Sequence, residues 1–392
     1  MFLRMTKPRP QPMIKPNRSI SLVNIKDLQP LQSSKMDPAI WSRLPGELLE
    51  HVLSFLPLKT FLNLRSTCKH FKSLAFSPSF VSKHTSSSSN FSSFLLLSHP
   101  QCYHQFPLYD FSVGAWRNLF LPPSVVLPTS SGDPSTLLSS SNGLFCFSVP
   151  SSSSLLVCNL LSKSSRIVSF PAYPFDFKSL TLVSTSSDYK IFVLYSKFSS
   201  NYALVYDSRN QAWRKFNSFD SVLRDSNHRE SVFYNGSLYF TTPEPFSVVR
   251  FDLDGGGWER TDSILPSELV FVRLVSDGKR KLYLIGGFGR NGISRSLKLW
   301  EMSGENRWVE VESLPELMCR KFMAVCYHNY EHVYCFWHEG MICVCCYTWP
   351  EVLYYKVSRR TWHWLPKCPS VPERWSCGFR WFSFVPELYA LV

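Results

Sequence analysis

Two stretches hold residues whose spacing invites chemistry. In IGGFGRNG, Gly287, Gly289 and Gly292 satisfy G-x-G-x-x-G, a pattern that cradles a pyrophosphate when a strand precedes it and a helix N-terminus comes after it. The next residues, SRSLKLWEMS, alternate like a strand, so a nucleotide cofactor is not expected. Gly286 and Gly287 read instead as a diglycine turn. The second stretch is thiol- and imidazole-rich: Cys319, Cys326, His328, His332, Cys335, His338, Cys343, Cys345 and Cys346. Cys343 and Cys346 have C-x-x-C spacing, but no second pair lies at zinc-site separation, and CVCC on a strand points its sulfurs to opposite faces. Buried cysteines in the strands of a fifth repeat unit are expected, with no metal and no other cofactor. The sequence also lacks a nucleophile elbow, a His-Glu-x-x-His helix and a phosphate loop, so a non-catalytic protein is expected.

The elements around these stretches are strands. From Phe94 onward the chain shows short alternating runs punctuated by turns, such as NGLFCF, DYKIFVLY, YNGSLYF, KLYLIGG and EHVYCFW. A second strand recurs with a tight turn and a tryptophan: YDFSVGAW, YDSRNQAW, FDLDGGGW, WEMSGENRW and YKVSRRTW, ending at Trp116, Trp213, Trp258, Trp308 and Trp362. The degenerate copy CNLLSKSSRIVSFP, with Ile167 at the Trp position, completes six units spaced 45 to 54 residues apart. Several strands per unit at that period predict a β-propeller, whose blades bury their faces only by closing into a ring. The first unit has three strands, and the C-terminal RWSCGFRWFSFVP supplies its missing innermost strand, leaving no open edge. A pair of β-sandwiches would not explain six copies. The tryptophans are expected to pack blade against blade.

The start of the chain differs in character. LPGELLEHVLSFLP crowds Leu44, Leu48, Leu49, Val52, Leu53, Phe55 and Leu56 into one short helix between two Leu-Pro pairs. A second helix is predicted from Leu58 to Leu64 and a third around Cys68 to Ala75. Three helices this short cannot hide so much apolar surface, so a partner must cover it. The Leu-Pro punctuation, Leu48-Leu49, Val52-Leu53, Leu62, Leu64-Arg65 and Cys68-Lys69 with Phe71 after them resemble the F-box, the adaptor-docking motif of SCF ubiquitin ligases. Thr67 and Phe71 depart mildly from its usual residues. With the propeller, the whole chain resembles plant F-box/kelch-repeat proteins, and similar WSRLP-type openings occur in members acting in floral and leaf development. The resemblance implies docking through Leu44, Pro45, Leu48, Leu53, Leu56 and Pro57 onto a Skp-type adaptor and through it a cullin. It assigns Arg65 and Cys68 to fixing the helices against each other, and it implies a propeller that holds a protein target for ubiquitination.

The resulting fold class is α+β and multidomain. It comprises a basic arm (1–36), a three-helix F-box (37–82), a Ser-rich linker (83–93) and a six-bladed kelch-like propeller (94–392). The net charge is +13, of which the arm carries +6; the arm reads either as a nuclear or organellar address or as a solvated, dispensable extension. The mildly basic body does not demand nucleic acid, and no apolar run approaches the roughly 20 residues of a spanning helix. Neither nucleic acid nor membrane is expected as a partner. No secretory signal is evident, so nucleus and/or cytoplasm and reduced cysteines are expected.

Target recognition is expected in loops that do not repeat. Arg229, Arg320 and Arg374 each stand just before an expected inner strand. In a ring such positions converge, which predicts a cationic mouth, extended by His104, Arg290 and His338, for an acidic or phosphorylated peptide. The competing reading is surface arginines paired with nearby acids such as Glu230 and Glu373. Two other functions stand beside the ligase adaptor: an F-box protein acting as a non-degradative transcriptional cofactor, and a propeller enzyme on small molecules, which would need carboxylates clustered at the pore.

Overall fold

The computed structural model describes residues 43–56, 58–64, 66–74, 77, 79–80, 83–84, 93–102, 105–121, 135–185, 187–197, 200–217, 230–304, 306–326, 329–371 and 377–392. Among them no helix is long and apolar enough to cross a membrane. The chain divides into two compact units, one helical and one built of sheet.

The helical unit holds α1 (Gly46–Ser54), α2 (Leu58–Leu64) and α3 (Lys69–Leu74). Pro45 stands at the N-cap of α1, where its missing N–H costs nothing, and its carbonyl accepts from Leu49 N at 3.0 Å. The interior is small: Leu53, Phe61, Leu74 and Phe80, with a buried His84. The His84 ring packs against both Phe61 and Phe80, with centroids 5.3 and 5.6 Å away, and its Nε2 meets Leu56 O at 3.2 Å. The unit's interior therefore reaches past the boundary expected at residue 82. Burial holds the His84 pKa down, against the weaker opposing effect of that hydrogen bond.

The second unit is a six-bladed propeller of four-stranded antiparallel sheets. Blade 1 contains β1 (Phe94–Ser98), β2 (Gln105–Asp110) and β3 (Ala115–Phe120). Blade 2 contains β4 (Leu137–Ser141), β5 (Leu144–Val149), β6 (Ser154–Asn159) and β7 (Ser164–Ser169). Blade 3 contains β8 (Ser179–Ser184), β9 (Tyr189–Lys197), β10 (Ser200–Asp207) and β11 (Ala212–Asn217). Blade 4 contains β12 (Val232–Tyr234), β13 (Ser237–Thr241), β14 (Val248–Asp252) and β15 (Trp258–Arg260). Blade 5 contains β16 (Leu269–Ser276), β17 (Leu282–Arg290), β18 (Ile293–Met302) and β19 (Trp308–Ser313). After α4 (Glu316–Cys326), blade 6 contains β20 (Val333–His338), β21 (Met341–Cys346), β22 (Trp349–Lys356) and β23 (Thr361–Trp364). The C-terminal β24 (Arg380–Phe384) pairs along β1 from Phe94↔Phe384 to Ser98↔Arg380 and closes blade 1.

The core lies between blades. One cluster joins Val183, Phe192 and Val205 of blade 3 to Leu238, Phe240 and Phe251 of blade 4. Another joins Tyr283 and Leu299 of blade 5 to Ile342 and Leu353 of blade 6. The tryptophans bridge this packing: Trp213 Nε1 donates to Ser169 O of the preceding blade at 2.9 Å, and Trp258 Nε1 donates to Asn217 O at 2.8 Å.

Three sequence expectations change. Gly286 and Gly287 form no turn; they lie inside β17. A Cβ on Gly287 would meet the Phe271 ring at 2.4 Å, and one on Gly286 would meet Leu269 Cδ2 at 2.7 Å, so these positions let β16 and β17 approach closely. The segment around Arg320 is helix α4 rather than the lead-in to a strand. Cys319, Phe322, Met323 and Cys326 form its buried face, and the blade's inner strand starts only at Val333. Cys343, Cys345 and Cys346 belong to blade 6, not the fifth. Cys343 and Cys345 face the blade 1 side while Cys346 faces blade 5, so the two sulfurs of the C-x-x-C pair are on opposite faces. Among the described residues no group of three or more His, Cys, Asp or Glu is placed to hold a metal ion, and all twelve cysteines are free thiols.

Candidate functional site

On the helical unit, Leu48, Val52 and Phe55 recur at positions i, i+4 and i+7 and so share one face of α1 and its C-terminal turn. They are 52%, 41% and 62% exposed. Large side chains this open on a unit this small form an apolar stripe of the kind another protein covers. Of the expected docking residues, Leu44, Pro45, Leu48 and Leu56 are partly or largely exposed, while Pro57 lies outside the described residues. Leu53 is corrected: at 4% exposed it belongs to the unit's own interior. Val52 and Phe55 take its place on the open face. The i, i+4, i+7 spacing in the sequence was the signal for them. Arg65 also lies outside the described residues. Cys68 is exposed rather than wedged between helices; its sulfur accepts from Phe71 N at 3.4 Å and caps α3.

On the propeller, strand alternation sends turns to two different faces. One face carries the turns from first to second and from third to fourth strands, and these are tight. Asn142-Gly143, Asn235-Gly236 and Glu339-Gly340 occupy the first set, and Lys163, Gln211, Asn306 and Arg360 stand at positive φ in the second. The other face carries the second-to-third turns and the connections between blades, whose described residues are 121, 135–136, 170–178, 230–231, 261–268, 314–326, 329–332, 365–371 and 377–379. The exposed large apolar side chains of the described turns gather there. Ile264 is 87% exposed, Tyr173 and Leu317 are 79% exposed, and Ile293 is also open; Val113 is the exception on the tight-turn face.

The expected cationic mouth does not form among the described residues. His104, Arg229 and Arg374 lie outside them. Arg290 and Arg320 are on the loop face, but each is paired with an acid: Arg290 Nη2 with Glu268 Oε1 at 2.6 Å, and Arg320 with Glu316 one helical turn away. For these two the paired reading holds, with different acids from those expected. His338 is corrected outright. It ends β20 on the tight-turn face and is fully buried, with Nδ1 2.9 Å from Ser383 Oγ and its ring 5.1 Å from Phe111. Burial lowers its pKa to about 4, so it carries no charge at neutral pH.

That shift has a signed consequence. Below the ordinary histidine value near 6.5 the unfolded chain binds a proton that folded His338 refuses. The propeller therefore keeps its full stability above that pH and loses it as pH falls toward 4, by on the order of 3 kcal/mol. Denaturant unfolding at several pH values is expected to show this loss, and His338→Gln is expected to flatten the difference over pH 4 to 6.5.

What converges on the loop-face end of the channel is a different group. Glu230, just before β12, accepts a hydrogen bond from the Tyr347 hydroxyl at 2.9 Å. Desolvation raises its pKa, while Arg380, the Tyr347 bond and Arg273 pull the other way. The residue still opens to solvent in the channel, which limits the rise. Arg273 on β16 is already engaged: Nε donates to Val333 O at 2.5 Å, Nη1 to Val272 O at 2.7 Å and Nη2 to Tyr330 O at 2.6 Å, tying blade 5 to blade 6. Arg380 on β24 donates to Leu138 O at 3.3 Å. Beside this group is a cavity of about 400 Å³ lined by blades 4 and 5 and the start of blade 6, with Phe246 and Val270 among its apolar residues, Thr241, Thr242 and Asn329 among its polar ones, and Glu230, Glu244 and Glu331 as its acids. The sequence alone marks Glu230 only as a neutraliser of Arg229. It gives one sign of Arg273 and Arg380, a lone arginine inside LVFVRLVS and another at the head of RWFSF.

A small helical module with an open apolar stripe, joined to a propeller with one loop-rich face, defines a docking and recognition protein. Residues 41–90 match the F-box domain and residues 119–335 match the KIB1-4 beta-propeller. The chain belongs to the F-box/kelch-repeat proteins: it is 55% identical to the F-box/kelch-repeat protein At5g43190 of Arabidopsis thaliana, over 92% of this chain and 90% of that one. It is also 27% identical to F-box only protein 6 of Arabidopsis thaliana (87% and 72% covered). Identity to Protein ABERRANT PANICLE ORGANIZATION 1 of Oryza sativa subsp. indica is 26% (94% and 95% covered). This architecture and these relatives support a substrate-adaptor role.

Proposed function

We propose that this chain is the substrate-recognition subunit of an SCF-type ubiquitin ligase. The face of Leu48, Val52 and Phe55, flanked by Leu44, Pro45 and Leu56, docks on a Skp-type adaptor and through it a cullin. The loop face of the propeller holds the target. The chain does no chemistry itself; it contributes proximity, which makes transfer to the target's lysines effectively intramolecular. The observation that carries this reading is the exposed stripe on α1 within a segment that matches the F-box domain.

The test is co-precipitation of the full chain with a Skp-type adaptor. The triple change Leu48→Asp, Val52→Asp and Phe55→Asp is expected to weaken capture by about ten-fold or more, since burying a carboxylate in an apolar interface is costly. All three positions face solvent, so the melting behaviour of the propeller should not move. Undiminished adaptor capture by the triple variant would overturn the proposal.

A further inference from the structure

The expectation of an acidic or phosphorylated target rests on a cationic mouth, and the cavity on the described loop face offers the opposite charge. The cavity between blades 4 and 5 presents the carboxyl groups of Glu230, Glu244 and Glu331 and one cation, Arg273. That cation's donors already point at the carbonyls of Val272, Tyr330 and Val333, so it is a poor receptor for an incoming anion. Glu230 has one described donor, the Tyr347 hydroxyl on Oε1, and a carboxylate has lone pairs for several more. The rest of the lining is mixed: Phe246 and Val270 are half-buried and apolar, Thr241, Thr242 and Asn329 are polar, and Phe240 and Phe271 are almost wholly buried behind them. A lining that combines apolar side chains with acids suits a side chain that is itself apolar along its stem and cationic at its tip. A volume of about 400 Å³ falls within the range of sites that enclose a small ligand, and it accommodates such a side chain with part of its backbone.

The same face of the ring exposes Ile264 between blades 4 and 5, Ile293 on the second-to-third turn of blade 5 and Leu317 on α4. These stand on the connections that border blades 4, 5 and 6, the blades that build the cavity.

We propose that the target is gripped through a lysine or arginine side chain that enters this cavity and places its charged tip against Glu230, with Glu244 and Glu331 at the rim. The apolar side chains flanking it on the target rest on Ile264, Ile293 and Leu317. This deepens the reading of the propeller as the target-binding unit and rests on it. The chain carries a net +13, so an acidic cavity on it selects by local rather than overall charge.

The test uses the full chain and labelled hexapeptides with leucine on both sides of a central Lys, Arg, Met, Glu or phosphoserine, read by fluorescence anisotropy. Lys- or Arg-centred probes are expected to bind at least about ten-fold tighter than the Met-centred probe, and their binding should weaken as salt rises. Glu331→Gln, at an exposed position, is expected to erode the preference in part. Glu230→Gln, which keeps an acceptor for Tyr347, is expected to remove most of it, with its melting temperature measured alongside. A preference for the Glu or phosphoserine probe, equal binding of all probes, or no binding of any at millimolar concentration would overturn the proposal. Adaptor capture measured on the same preparations separates the two readings. Lost peptide preference with intact capture sinks the cavity alone, and lost capture by the unmutated chain sinks the ligase role alone.

Discussion

Replacing Asn159 with alanine is expected to be among the most destabilising single changes in the propeller, by about 4 kcal/mol, although the residue lies at the opposite end of its blade from the loop face. Asn159 ends β6 and is 1% exposed. Its Nδ2 donates to the carbonyls of Glu387 at 2.9 Å, Leu388 at 3.3 Å and Ala390 at 3.0 Å. Its Oδ1 accepts from Leu161 N at 3.0 Å and Ser162 N at 3.3 Å. One amide thus forms the turn after β6 and fastens the last residues of the chain across blade 2. Alanine would orphan several buried backbone groups at about 1 to 3 kcal/mol each, relieved in part by relaxation. The tail presses close enough that a Cβ on Gly143, at φ +79°, would meet Glu387 N at 2.6 Å, and it inserts Ala390 into the core between blades 2 and 3. Denaturant midpoints should fall alike for Asn159→Ala and for removal of residues 387–392, and the two changes combined should fall short of their sum, because they act on one contact. Asn159→Asp serves as the sharper control: it keeps the turn acceptor but aims a carboxylate at three carbonyls, so it should be at least as damaging as alanine. Midpoints unchanged in Asn159→Ala would rule out the clasp.

The clasp marks the boundary of what sequence could convey. The ring itself was legible because its physics is periodic: a blade must bury both faces, so each repeats the same strands and the same tryptophan, and a three-stranded first unit with a leftover C-terminal strand implies closure. The helical stub was legible for a related reason, since too much leucine for its size has no interior to enter. What repeats nowhere was not legible. Residues 387–392 carry no period, and Asn159 is one polar residue in a turn. Helix α4 reads as strand in the sequence because Phe322 to Val325 is short and apolar, and such a run looks alike as strand or helix until the buried spacing of Cys319, Phe322 and Cys326 is weighed. The charge of the loop face was not legible because sequence lists arginines without their partners. Arg290 and Arg320 spend their charge on Glu268 and Glu316, Arg273 on carbonyls, and Glu230 is left facing the channel.

The repeated tryptophans offer a comparison in which the fold supplies its own control. Trp258 on the outermost strand of blade 4 is half-buried, with its ring 4.8 Å from Phe251, 5.4 Å from Phe240 and 6.3 Å from Phe192 of blade 3. Its Nε1 reaches Asn217 O, which ends the outermost strand of blade 3. Trp258→Ala removes a large ring from an inter-blade seam that backbone relaxation cannot close, and it is expected to cost about 3 to 5 kcal/mol in denaturant unfolding. Trp258→Phe keeps most of the apolar contact and gives up the bond to Asn217, so it should cost about 1 kcal/mol from that bond plus a smaller packing loss. Ile167 holds the same place in blade 2 but is 56% exposed, and Ile167→Ala should cost less than about 1 kcal/mol. If Ile167→Ala matched Trp258→Ala, the position would matter through strand propensity. If both were mild, blade-to-blade packing would be carried by the inner strands alone. The expected ordering, with Trp258→Ala far less stable than Trp258→Phe and Ile167→Ala, would instead show that Trp258 joins its blade to the one before it. The degenerate second unit lacks that joint, and the C-terminal clasp on Asn159 lies across that blade.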